Sequence, residues 1–284
     1  MFQKIYFVIF ISIFSASFYG QTNILNAKTV EQIGRKNENQ LVADNDGPIP
    51  YGYVDDRDIM WSKVVWEFVD LNQKVNLPYY FPIDTTNISS DRRSLYDTLI
   101  RGIKKGKIKE AYSDSYFNSK ITQNEIESRL VNIREENGYK DTFRIQTQDV
   151  EGYMLKGMWY FDKRQGELKY RLLALAPMGK DVQTLGIQEI QDENLYELFW
   201  IFFPSAREVL HDAKVFNPEN AINAISYDHL LNARRFSSVI VREENIYGNR
   251  AIADYVRGNS LFQLLEADKI KEDIRNKEID MWNY

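Results

Sequence analysis

The chain has 284 residues, no cysteine and a formal charge of −5, and 14% of it is Phe, Trp or Tyr. Without cysteine there are no disulfide staples, no thiol chemistry and no lipid attached through sulfur, so an ordinary apolar core must hold the fold. The mild acidity gives no footing for nucleic acid, which favours a basic face.

Residues 1–20 carry one charge, Lys4, then an apolar run from Ile5 to Phe14, then the small residues Ser15, Ala16, Ser17 and Gly20. That run is shorter than the roughly 20 residues a bilayer span takes, and the pattern is that of a secretory signal peptide. Cleavage before Gln21 leaves Phe18 three positions upstream, and cleavage after Ser17 avoids it. Removal leaves about 264 residues, enough for one large domain or two small ones, with the charge at −6. No second apolar run is long enough to span a membrane, so a soluble, exported product is expected. Residues 21–50 are polar and end in Asp44-Asn45-Asp46-Gly47-Pro48-Ile49-Pro50, which predicts an extended arm or linker.

Asp55 begins a predicted helix, with Met60, Trp61, Val64, Val65, Phe68 and Val69 as a wide apolar stripe that Trp66 extends. Pro78 and Pro82 around Tyr79-Tyr80-Phe81 predict a packed loop or short edge strand. A second helix is expected over 91–103. Ala111-Tyr112 and Tyr116-Phe117 suggest a short strand. Thr122 and Glu125 have capping-box spacing for a helix reaching about Ile133, and 134–150 reads as a surface loop.

The stretch from Trp159 to Ala176 alternates on both sides of Asp162-Lys163-Arg164-Gln165-Gly166, which predicts a β-hairpin whose second arm ends buried on both faces. A loop over 177–193 leads to an interior strand over 195–203, stopped by Pro204. Ser205 and Glu208 have capping-box spacing for a helix to about Lys214, and Ser226 caps another over 227–235. Residues 237–242 read as a strand. A short helical piece over 251–256, a break at Gly258-Asn259 and a long helix from Ser260 end the chain. The stripe of that helix (Leu261, Leu264, Leu265, Ile270, Ile274, Ile279) drifts around it, leaving Lys269, Lys271, Glu272, Asp273 and Arg275 for water or a partner. No internal repeat and no low-complexity tract stand out.

Chemistry is scarce. The two histidines are His211 and His229. Glu208-x-x-His211 is the spacing of di-iron helix sites, which need a second such pair and two further carboxylates that the chain lacks. Ser205, His211 and Asp212 lie too close along one helix for a triad, and no G-x-S-x-G, phosphate loop or dinucleotide fingerprint occurs. Paired carboxylates, as in glycosidases, are the remaining catalytic option. Asp55-Asp56, Glu135-Glu136 and Glu243-Glu244 fall in polar stretches or helix starts, where a charge run is usually a solvated face. No catalytic, cofactor or metal residue is therefore expected.

The aromatic load points instead to contacts, because Tyr and Trp bury large areas and keep a polar handle. Trp61, Trp159 and Trp200 read as core. The interface candidates are Tyr51, Tyr53, Tyr79, Tyr80, Phe81, Lys271, Arg275, Trp282 and Tyr284, each at a charged boundary or on the last helix. Exposed aromatics suit an alternative reading as well, a periplasmic glycan- or peptidoglycan-binding module; a carboxylate-based hydrolase is a third.

Seven stretches, NILNAKTVEQIG (23–34), PYGYVDDRDIMWSKVVWEFVDLN (50–72), YFPIDTTNISSDRRSLYDTL (80–99), KGMWYFDKRQGELKYRLLALAP (156–177), LFWIFFPSAREVLHDAKVFN (198–217), SYDHLLNARRFSSVIVREENIYG (226–248) and IRNKEIDMWNY (274–284), resemble the GldN/PorN family of gliding-motility and type IX secretion proteins of Bacteroidetes. The resemblance covers nearly all of the chain after the leader. It implies a periplasmic subunit that assembles with an outer-membrane lipoprotein, GldK (PorK), into rings beneath the outer membrane and meets the periplasmic part of the motor protein GldM (PorM). It transfers no catalytic residue. The expected architecture is one α+β domain over 51–284, its small, mostly antiparallel sheet built from the 153–176 hairpin and the 195–203 strand and covered by helices.

Overall fold

The computed structural model describes residues 47–83, 92–136, 139–185, 194–215 and 225–282; the expected leader and most of the expected arm lie outside them. In chain order the elements are β1 (Ile59–Asp70), α1 (Leu77–Tyr80), α2 (Leu95–Lys104), β2 (Ala111–Tyr112), β3 (Lys120–Ile121), α3 (Gln123–Leu130), β4 (Val131–Glu136), β5 (Tyr139–Arg144), β6 (Val150–Asp162) and β7 (Glu167–Gly179). Then come β8 (Tyr196–Glu197), β9 (Trp200–Phe202), α4 (Phe203–Asp212), β10 (Lys214–Val215), β11 (Ile225–Ser226), α5 (Tyr227–Asn232), β12 (Val239–Glu243), α6 (Ile252–Tyr255) and α7 (Ser260–Trp282).

The class is α+β with a mostly antiparallel sheet, as the sequence implied. The hairpin is its centre: β6 and β7 pair antiparallel from Asp162↔Glu167 outward, and Gly166 takes the left-handed conformation (φ 65°) that closes the turn. The sheet is larger than expected, with strand order β12-β1-β6-β7-β9-β2-β3 and β8 added to β7.

The added size comes from an overturned expectation. Residues 59–70 are not a helix but the 12-residue strand β1, hydrogen-bonded between β12 and β6. An inner strand with apolar residues on both faces reads as a continuous run, and such a run satisfies helical spacing by accident. The β-branched and aromatic residues in that run favour the strand. Asp55 does cap, but only the single 3-10 turn Asp56–Asp58.

Other expectations shift for local reasons. The loop expected over 134–150 holds the hairpin β4–β5, paired from Val131↔Arg144 to Glu136↔Tyr139; Asn137-Gly138 between two short alternating runs was the signal for it. Pro78 sits in the first turn of helix α1 rather than in a loop or strand. Residues 116–117 are in a loop, and the short strands are β2 and β3. The 195–203 strand is broken into β8 and β9, and α4 starts at Phe203. Ser205 therefore lies inside the first turn, its hydroxyl donating to the Phe202 carbonyl (2.8 Å), and the expected capping box is absent. Thr122 with Glu125 does form the box at α3, and Ser226 caps α5.

Residues paired across neighbouring strands share a face. On one face Leu155, Leu172, Leu175 and Ile201 meet α2, α4 and α5 through Leu99, Phe203, Leu210 and Leu231. On the same face α7 lays Ala267, Ile270 and Ile274 against Val65, Ile240 and Ile252. The apolar cluster on the opposite face (Trp66, Tyr112, Ala174, Ala176, Trp200) contains no helix residue.

Candidate interaction surfaces

Tyr51 is tied down rather than presented. Its hydroxyl donates to Asn232 Oδ1 (3.0 Å), and Arg207 and Arg171 lie over its ring at 4.2 and 4.5 Å. Burial raises its pKa. Arg207 also grips Asp228 through Nε (2.7 Å) and Nη2 (3.0 Å) and donates to the Ile49 carbonyl (2.7 Å). Arg171 donates to the Gly52 carbonyl (3.1 Å). Residues 49–52 thus dock on two arginines although they form no regular structure.

The other candidates separate. Tyr53 is 82% exposed and Phe81 is exposed, while Tyr80 is half-buried with its ring edge-on to Phe81. Tyr79 is in the core, its hydroxyl donating to the Arg235 carbonyl (3.2 Å), so it offers no surface. Lys271 bonds the Ser238 carbonyl (2.7 Å), and exposed Arg275 pairs with Glu272 (3.6 Å). Trp282 closes α7, but its side chain and Tyr284 lie outside the described residues.

Two surfaces went unnoticed in the sequence. At α6–α7 the side chains of Tyr255, Leu261, Phe262, Leu264 and Leu265 are all exposed. Asn259 caps α7 by accepting from Leu261 and Phe262 N–H (3.0 and 3.2 Å), so the four of them on α7 stand on a fixed helix rather than a frayed end. The signal was the imperfect stripe: only Ala267, Ile270 and Ile274 face the sheet. The second surface is the helix-free sheet face. There the 113–119 loop covers Trp66 and Lys156 with Tyr116 and Phe117, and Phe117 adopts a left-handed conformation (φ 62°) to do so.

Among the described residues a concavity of about 270 Å³ lies between α2, α3 and the base of β4–β5, lined by Tyr96, Ile100, Ile126 and Leu130 among others. Asp97 on its wall is engaged by Arg93 (3.2 Å) and Arg101 (2.9 Å). Among the described residues no cluster of three His, Cys, Asp or Glu side chains could hold a metal ion, and no helix is long and apolar enough to cross a membrane. His211 sits in the last turn of α4 and His229 in α5.

The sequence model of the gliding motility associated protein GldN family matches residues 54–283, a span that contains every element from β1 to α7. The chain belongs to the GldN family. It is therefore a component associated with gliding motility. No curated protein matches it. The family match spans both unnoticed surfaces and the central hairpin.

Proposed function

We propose that this protein is a structural subunit of the type IX secretion and gliding machinery, exported to the periplasm, and that it works by contact rather than by catalysis. In this reading it forms rings with itself and with a GldK/PorK-like outer-membrane lipoprotein, and the ring meets the periplasmic domain of a GldM/PorM-like motor protein. The lipoprotein supplies a lipid anchor of the kind that this chain, without cysteine, cannot carry on sulfur.

The observation that carries the reading is the exposed apolar surface of α6–α7. Four large apolar side chains on the capped start of α7, with Tyr255 of α6 beside them in sequence, amount to a patch on the order of 400 Å², the size at which exposed apolar surface marks a contact site. Stable assemblies bury about 800 Å² per partner around such anchors. Co-purification of the tagged chain with the envelope lipoprotein, followed by electron microscopy of the complex, tests it. Rings containing both proteins are expected; a chain that leaves the envelope fraction as a free monomer refutes it.

A further inference from the structure

The helix-free sheet face carries a row of charges that the chain does not complete. Strand pairing sets Arg242 of β12 and Lys156 of β6 directly opposite Trp66 of β1, one on each side. Both cations lie over the indole ring, at 5.5 and 5.1 Å. Lys156 is 9% exposed and donates to the Ser115 carbonyl (2.8 Å); burial lowers its pKa. Trp66 is 3% exposed and its indole N–H has no acceptor among the described residues. Among those residues neither cation pairs with a carboxylate, and Glu244 and Asp114 act on Lys156 only through space.

The rest of the face shows what is missing. Trp200, on β9, donates its indole N–H to Glu197 (2.6 Å), and Tyr112, on β2, donates its hydroxyl to Glu110 (2.8 Å). Each of those polar aromatics has a carboxylate from its own chain. Trp66, flanked by two cations, has none. Around the row Val64, Met154 and Val241 are only half-buried, whereas the open face of an antiparallel sheet is ordinarily polar.

The complement stands on α7. Leu261, Leu264, Leu265 and Asp268 follow the i, i+3, i+4, i+7 spacing that places them on one side of a helix, and all four are exposed. Among the described residues Asp268 makes no ion pair. One helix side therefore offers three leucines and a free carboxylate, and one sheet face offers half-buried apolar side chains and the half-buried Arg242, while Lys156 is enclosed by the Ser115 carbonyl and the Trp66, Tyr116 and Phe117 rings.

We infer that the first turns of α7 of one copy dock on the helix-free sheet face of the next, beside the 113–119 loop, Asp268 meeting the half-buried Arg242 and the leucines covering Val64, Met154 and Val241. This inference rests on the ring-subunit reading and names its self-contact. The two surfaces differ, so the contact is head-to-tail and propagates into rings or filaments. A two-fold pairing of the sheet faces would set cation row against cation row, which like charges oppose. Exposed Ile246 and Tyr247, in the loop whose Asn249 bonds Tyr116 (3.3 Å), extend the sheet-side footprint.

The test is charge exchange in the full chain: Arg242→Glu, Asp268→Arg and the double variant, with self-association followed by sedimentation and folding checked by circular dichroism. Each single variant is expected to weaken self-association about tenfold and the double to restore most of it. Leu264→Ser, a surface change, should weaken it without altering the melting curve. If the wild type assembles and the single variants match it, or the double restores nothing, the surface pair is wrong while the ring reading stands. A wild type that stays monomeric at high concentration overturns the self-docking itself, and the co-purification above then decides the ring reading separately.

Discussion

Loss of Arg234 should cost this fold heavily. Glu67 on β1 is 1% exposed, and its carboxylate accepts from Arg234 through both Nη atoms (2.9 and 3.0 Å), with the Tyr170 hydroxyl at 3.4 Å. The guanidinium lies 4.0 Å from the Tyr170 ring centre and 5.0 Å from that of Trp159. Arg234 reaches this site from a left-handed conformation (φ 51°) after α5, where its N–H bonds the Leu231 carbonyl and that of Arg235 bonds Leu230. Glycine is the usual residue at that position of a helix end. The chain thus accepts backbone strain to place a guanidinium over Glu67. Arg234→Met leaves a buried carboxylate unpaired, at a cost of about 3–5 kcal/mol, or roughly 6–20 °C in Tm for a domain of this size. Arg234→Gly should be about 1 kcal/mol less damaging, since it relieves the left-handed strain. The double variant Glu67→Leu/Arg234→Met should return to within about 1–2 kcal/mol of wild type, because no charge is left stranded. Urea unfolding of the wild type and the three variants measures these differences. A loss under 1 kcal/mol for Arg234→Met, or a double variant as weak as the single, would show that Glu67 is not confined as described.

Gly157→Ala should destabilise by about 1–3 kcal/mol in the same assay, because a Cβ there would sit 2.1 Å from the Tyr170 hydroxyl, backed by the ring and not by open space. Burial raises the pKa of Tyr79, Tyr153, Tyr170 and Tyr227 above the ordinary 10.0. For groups raised on folding, stability is complete below pH 10 and is lost as pH climbs from there towards the folded values. Phenolate absorbance of these four should therefore appear together with alkaline unfolding, and a gradual rise in the intact fold would contradict their burial. Arg207→Lys keeps the charge but loses the fork that holds Asp228 and the Ile49 carbonyl. Amide exchange across residues 49–53 should accelerate while that of β6 and β7 stays unchanged; equal exchange in both proteins would mean the clamp does not hold that segment.

Local signals in this chain were readable where a short stretch carries its own physics. The hairpin turn at Gly166, the Thr122–Glu125 box and the Ser226 cap depend on neighbours a few residues away, and all three form. The family match likewise accumulates along the chain and needs no fold. What the tertiary structure decided are the choices that depend on what lies across the sheet. Residues 59–70 satisfy both helical and strand spacing, and only pairing to β6 and β12 selects the strand. Tyr79 and Tyr53 are both tyrosines beside charges, yet one is interior and the other bare, because burial is set by elements more than a hundred residues away in sequence. The Arg242–Trp66–Lys156 row cannot be seen in a string where its members lie at 242, 66 and 156. Strand register alone brings them side by side, and the 113–119 loop then covers Trp66 and Lys156 while Arg242 stays half-buried.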